Sequence, residues 1–175
     1  MPHDEQPPGL QLSDEPVSEV EIFEASQIPT LVVKVHGHPA DRMSEVFDAV
    51  FRAIFPAMGR HGLTPAGPAF SLHHRMPDET ADFEVGLPLS SPAEAVIDAA
   101  GDLRFEPSWL PGGRVARISH LGGYEQLGAA WTGFLGAVSA AGATPELPFW
   151  EVYATEPRPG MDPAELRTDL FTRVG

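Results

Sequence analysis

The chain has 175 residues, of which 42% are hydrophobic, with no cysteine and a formal net charge of −14. That suits one globular domain, or two small modules on a shared core, and excludes a disulfide framework or thiolate chemistry. Nucleic acid is not an expected partner, because the 11 Lys and Arg are scattered where phosphate binding needs clustered cations. Nor is a membrane, because no apolar run reaches the ~20 residues that span one.

Residues 1–16 read as a disordered acidic tail, punctuated by Pro2, Pro7, Pro8, Gly9 and Pro16 and without apolar periodicity. The tail lacks the basic and apolar regions of a secretory signal, so a cytoplasmic protein is expected. Residues 17–175 are expected to form a single domain, with a first module over about 17–90 and a second over about 103–175. "VSEVEIF" and "TLVVKVHG" are rich in β-branched residues and read as strands. Asp41 is placed to cap a helix whose apolar positions, Met43, Val46, Phe47, Val50, Ile54 and Met58, recur every three or four residues. Pro56 is expected to kink or fray its last turn. "AFSLHHR" and "ADFEVGLPL" follow as strands, and "SSPAEAVIDAAGD" as a linker with room for one helical turn. "LRFEPSWLPGGRVARISH" gives two strands around a Pro-Gly-Gly turn. A second amphipathic helix covers about 124–141, with Leu127, Trp131, Phe134, Leu135 and Val138 on one face. "PFWEVYATEP" is a strand, and "PAELRTDLFTRV" starts polar and ends as another.

The order of elements recurs. "GLTPAGPAF" at 62–70 matches "GATPELPFW" at 142–150, and "VVKVHGH" and "VARISHLGG" precede the two helices. The expected fold is therefore α+β: two pseudo-repeated strand–helix–strand–strand modules joined into one antiparallel sheet. Both helices lie on one face, and the other is left open enough to curve into a ligand cleft at the junction.

Within the last repeat, Glu151 is a carboxylate set between Trp150 and Val152, and a charge is costly to bury without a partner. Alternation along the strand puts Trp150, Val152 and Ala154 on one face, expected beneath the helices, and Phe149, Glu151, Tyr153 and Thr155 on the other, expected in the cleft. By the repeat, Phe70, Leu72 and His74 belong core-side, while Ser71 and His73 face the cleft opposite Glu151 and Tyr153. A carboxylate among aromatic rings suits an organic cation, which gains about 0.5–2 kcal/mol from each desolvated ring face. The alternative is that Glu151 is exposed on an edge or paired with a cation such as Arg117. Trp109, between Pro107 and Pro111, either caps the cleft or fills a gap over the core. Tyr124 is either a staple for the second helix or part of the cleft mouth, and Trp131 sits on that helix's apolar face.

His36 and His38, and His73 and His74, lack converging further ligands, so no metal is expected. "PGGR" lacks the lysine and spacing of a phosphate loop, so no cofactor is expected either. Ser119 and His120 are neighbours in sequence, which does not make a nucleophilic pair.

The stretches "GPAFSLHHR", "ADFEVGLPL", "LPGGRVARISHLGGYEQLGAAWTGFL" and "PFWEVYATEP…LRTDLFTRV" together resemble the GyrI-like small-molecule-binding family over most of residues 30–174. That family also supplies the effector-binding domains of multidrug-responsive regulators. The resemblance implies two pseudo-repeated modules with a cleft between them, and an acidic residue, matched by Glu151 in its "WEVY" context, that meets lipophilic cations among aromatic rings. The 16 leading residues leave no room for a helix-turn-helix, so a stand-alone member is expected. The leading expectation is a polyspecific multidrug-binding protein using Glu151, Tyr153, Phe149, Trp109, His73, Ser71, Trp131 and Tyr124. The resemblance also implies a hydrolase that opens strained cyclopropane rings of DNA-alkylating natural products, with Glu151 and Tyr153 catalytic. A gyrase-inhibitor-like protein-binding module ranks third.

Overall fold

The computed structural model describes residues 15–98, 103–155 and 159–175, so the expected tail lies outside them except for Glu15 and Pro16. Among these residues nine strands and two α-helices follow in the order β1 (Glu21–Ala25), β2 (Ile28–Pro39), α1 (Met43–Arg60), β3 (Phe70–His73), β4 (Thr80–Pro88), β5 (Ile97–Asp98), β6 (Arg104–Leu110), β7 (Gly113–Leu121), α2 (Leu127–Ala140), β8 (Pro145–Tyr153) and β9 (Arg167–Val174). The strands form one antiparallel sheet in the order β1-β7-β9-β8-β3-β4-β2-β6-β5, which makes the fold α+β. β3 and β8 pair at its middle. On either side the sheet continues outward through β4 and β2, or through β9 and β7.

Three local expectations need correction. Asp41 does not cap α1: it lies inside a 3-10 turn, Ala40–Arg42, and no side chain caps either helical start. Pro56 does not fray the last turn of α1, which runs on as helix to Arg60. The buried positions Val50, Ile54, Ala57 and Met58 carry the packed stripe past the proline and hold the last turn against the sheet. The linker holds no helical turn among its described residues. Instead Ile97 and Asp98 pair with Phe105 and Arg104 at the sheet's edge.

Directly paired residues share a face, and the register therefore fixes which side the helices cover. Val85, Ser71, Glu151, Leu170 and Ile118 form one row across β4, β3, β8, β9 and β7. Val85 packs with α1's Val50 and Ile54, and Leu170 packs with α2's Phe134 and Val138. Glu151 is thus on the helix-bearing face, and the sequence-based expectation had the two faces reversed.

The opposite face is not open. Ser26 and Gln27 alone separate β1, at one end of the strand order, from β2, near the other. Pro111 and Gly112 alone separate β6 from β7. Two such short links force the ends of the sheet together. The corners touch: a Cβ on Gly112 would stand 2.8 Å from the Gln27 backbone N and 3.2 Å from the Ala25 carbonyl O. Inside this curl lies a second core of Ile28, Val32, Phe70, Leu72, Leu110, Val115, Trp150, Val152 and Phe171. Trp150 and Phe171 stack there at 5.5 Å with planes 2° apart. Phe70, Leu72, Trp150 and Val152 are core residues, but of the curl and not of the helix layer. His74, expected core-side, is half exposed and hydrogen-bonds Glu84.

Candidate functional site

The helix-bearing face has a gap where α1 and α2 leave the central strands uncovered, forming a cleft of about 480 Å³. Its floor is Glu151 and Tyr153 of β8. One wall is the stripe Ser44, Phe47, Asp48 and Phe51 of α1, spaced three and four apart. The other is Leu127 of α2 and Tyr124 of the 3-10 turn before it. A bulge in β8 between Glu146 and Phe149 precedes the three alternate side chains, Phe149, Glu151 and Tyr153, that this strand turns toward the helices.

Glu151 is partly buried and held by neutral donors. The Trp131 indole N–H donates to its Oε1 at 2.6 Å, and the Tyr153 hydroxyl donates to its Oε2 at 3.0 Å. Among the described residues it forms no ion pair, and Arg117, the sequence-based alternative partner, is bonded to Glu21 across β1 and β7. Burial raises the Glu151 pKa above the ordinary glutamate value. The bonds from Trp131 and Tyr153 and the nearby His120 pull the other way without cancelling it. Tyr153 is pushed well above an ordinary phenol, first by burial and then by the Glu151 charge, so its proton stays on. Tyr124, on the wall, is raised for the same two reasons.

Proton counting extends this arrangement behind the floor. Tyr153 has one proton and gives it to Glu151. Ser71, whose Oγ is 2.8 Å from the Tyr153 oxygen, must therefore donate to it. Ser71 Oγ is then left to accept from His73 Nε2 at 3.3 Å. This sets His73 as the Nε2–H tautomer with a bare Nδ1, and Nδ1 is the ring nitrogen that meets no partner among the described residues. Burial, then the neighbouring His74, lower the His73 pKa to about 4, so the ring is neutral near pH 7. The result is a chain of donors, His73 to Ser71 to Tyr153, that ends on the carboxylate.

Aromatic rings connect the two helices beside this chain. Trp131 lies 4.6 Å from Phe149, Phe149 stacks on His73 at 5.0 Å and 6°, His73 lies 5.7 Å from Phe83, and Phe83 meets Phe47 edge-on at 5.9 Å. Phe47 and Tyr124 approach Tyr153 at 5.9 and 6.0 Å. These rings make the site mostly apolar, with few directional polar groups.

Of the residues expected from sequence, Glu151, Tyr153 and Tyr124 line the cleft. Trp131, Phe149, Ser71 and His73 stand directly behind it. Trp109 does not join them: it lies on β6 opposite Pro29, near the far edge of the sheet, 44% exposed. Sequence reasoning missed Ser44, Asp48 and Phe51, and took Phe47 and Leu127 only as helix packing. The available signal was a second three-and-four stripe on α1, beside the core stripe and carrying both rings and an acid. Among the described residues no group of three His, Asp or Glu side chains converges as a metal site, and no helix is long and apolar enough to cross a membrane.

The role given to Trp131 has a measurable consequence. Trp131→Phe removes a donor that favours the charged carboxylate, so the Glu151 pKa should rise further. Any cation binding that depends on that charge should then fade at a higher pH than in the wild type. A titration of affinity against pH checks this, and an unmoved midpoint would dissociate the indole from the carboxylate.

Residues 18–174 match the family model of the GyrI-like small molecule binding domain. No curated protein matches the chain in sequence. Solved structures share its fold at low identity. The crystal structure of the EcmrR C-terminal domain has a TM-score of 0.73 at 16% identity, over 90% of this chain and 97% of that one. A hydrolase from Listeria innocua gives 0.60 at 14%, over 93% and 94%. SAV2435, solved bound to tetraphenylphosphonium, gives 0.58 at 10%, over 90% and 94%.

Proposed function

The chain belongs to the GyrI-like family of small-molecule-binding domains, and on that premise we propose that it binds aromatic, lipophilic cations of varied structure in the cleft between α1 and α2, with Glu151 neutralising their charge. One observation carries this reading: a desolvated carboxylate held only by neutral donors, without an ion pair among the described residues, on the floor of a ring-lined cleft. Such a group is stabilised by a positive guest, and the attraction strengthens as the guest excludes water. Ring faces add cation–π attraction without demanding one shape, so a pocket of rings plus one charge is tolerant of different guests. The tetraphenylphosphonium held by SAV2435 is a guest of this kind. A role in sequestering toxic compounds follows from such tolerance.

A hydrolase is the second reading, favoured by the donor chain ending on Glu151 and by the Listeria innocua hydrolase of the same fold. In that reading Glu151 accepts a proton from water and Tyr153 donates a hydrogen bond to the developing oxyanion. Binding is preferred because the phenol is held firmly protonated and its proton is already committed to Glu151.

The test is a fluorescence titration with a cationic rhodamine and with an uncharged ring system of similar size, followed by mass analysis of the recovered ligand. The rhodamine should bind more tightly and return unchanged. Equal affinities would remove the electrostatic reading. A strained cyclopropane-bearing alkylator that is consumed by the wild type but not by Glu151→Gln would establish the hydrolase.

A further inference from the structure

The cleft holds a second carboxylate that the binding reading has not used. Asp48 lies on the α1 wall within the stripe that faces the cleft, between Phe47 and Phe51 in sequence, and it is exposed. Arg52, one helical turn on, makes no ion pair with it, and neither does any other described residue. The two acids differ in setting. Glu151 is on the floor, held by two donors and partly desolvated, whereas Asp48 is at the solvent side. Both line one cleft; the ring of Phe47, the residue before Asp48, is 5.9 Å from the Tyr153 ring, and the Tyr153 hydroxyl bonds Glu151 at 3.0 Å. No Lys or Arg is among the described residues lining the cleft.

Resting on the binding reading above, we propose that the preferred guests are dications: a flat aromatic cation seated against Glu151, carrying a second cationic group on a short flexible arm that reaches Asp48. The inner charge is bound by desolvated electrostatics and ring faces. The outer one is bound by an exposed ion pair, which is weaker and is screened by salt. A guest with one charge leaves Asp48 unused, and a guest with two charges fixed side by side would crowd both onto the floor.

Ethidium and propidium provide the test, because they share one phenanthridinium ring system and propidium adds a quaternary ammonium on a propyl arm. In low salt, the wild-type chain should bind propidium about fivefold more tightly than ethidium. Asp48→Asn should bring the ratio of the two constants close to one, as should about 0.5 M salt. The control is Glu45→Gln, an exposed acid on the same helix that does not line the cleft. It changes net charge by the same amount, and the ratio should persist in it. If the ratio falls equally in both variants, the preference comes from the overall acidic field and the assignment is wrong. If ethidium binds in a Glu151-dependent way but propidium has no advantage, the dication assignment fails and the binding reading stands. If neither dye binds, both fail together.

Discussion

Glu151→Gln is expected to weaken a rhodamine-type cation roughly 30-fold, about 2 kcal/mol, while a neutral ring system of similar size changes by less than about twofold. Glutamine keeps the size of the side chain and an acceptor oxygen for the Trp131 indole N–H, while its NH2, in place of Oε2, donates to the Tyr153 oxygen and the Tyr153 proton turns to Ser71. What is lost is the charge. A carboxylate and a cation about 4 Å apart attract by about 4 kcal/mol at an effective dielectric near 20, and dehydrating both offsets part of that. Losses of similar size for both ligands would place the effect in packing and end the electrostatic account.

The same residue sets a pH dependence. Its folded pKa lies above the ordinary glutamate value because burial disfavours the charge. Cation affinity in the wild type should therefore fall as pH is lowered through that raised value, earlier than an exposed glutamate would allow. The Gln variant removes this titration, and the difference between the two curves belongs to Glu151. Stability runs in the opposite direction. A raised folded pKa means the native state holds the proton more tightly than the unfolded chain does. The stability tied to Glu151 is therefore complete below the ordinary glutamate value and is lost as pH rises through the folded one. Without ligand at neutral pH, the Gln variant should melt higher than the wild type, and the gap should close in acid.

Gly86→Ala is expected to be the most damaging single methyl in the chain, costing about 3–5 kcal/mol or preventing folding. Gly86 lies in β4 between Val32 of β2 and Phe70 of β3, facing the interior of the curl. A Cβ there would stand 1.9 Å from the Leu31 carbonyl O and 2.8 Å from the Val32 Cα. Both are backbone atoms of a paired strand, so no side-chain rotation relieves the contact. A fall in melting temperature of about 10 °C or more is expected. A variant that melts like the wild type would show that β2 and β4 are less closely apposed than described.

The local order of elements was readable because it is written in short periods: alternation for β2, β4 and β8, and three-and-four spacing for α1 and α2. Which face of β8 met the helices was not. That inference assumed one dry face and one wet face, and the curl dries both. Trp150 and Phe149 are both buried hydrophobic residues on opposite sides, so hydrophobicity carries no sign. The short links at Ser26–Gln27 and Pro111–Gly112 were the missing clue, and they acquire meaning only once the strand order is known. Glu151 and Tyr153 stood out because a carboxylate in a strand of aromatic residues is costly and therefore conspicuous, and Ser71 because the repeat set it opposite them. Asp48 was hidden because an acid on an amphipathic helix is ordinary until another wall stands opposite it. Trp109 misled because tryptophan near prolines reads the same at a cleft mouth and at a sheet edge.

The flanking strands are exchanged between the two ends of the chain. β1 precedes α1 in sequence yet borders β7, while β6, reached only after β4, borders β2. Cutting the polypeptide between β4 and β6 would strip each fragment of a neighbour that the other one owns, so neither piece is a self-sufficient unit. The seam between β3 and β8, which includes the cleft floor, is clasped from both ends and does not work as a hinge. On the proposed binding reading, guests of different bulk would be accommodated by shifts of α1, α2 and their side chains over a fixed floor, with the acid at its centre staying in place.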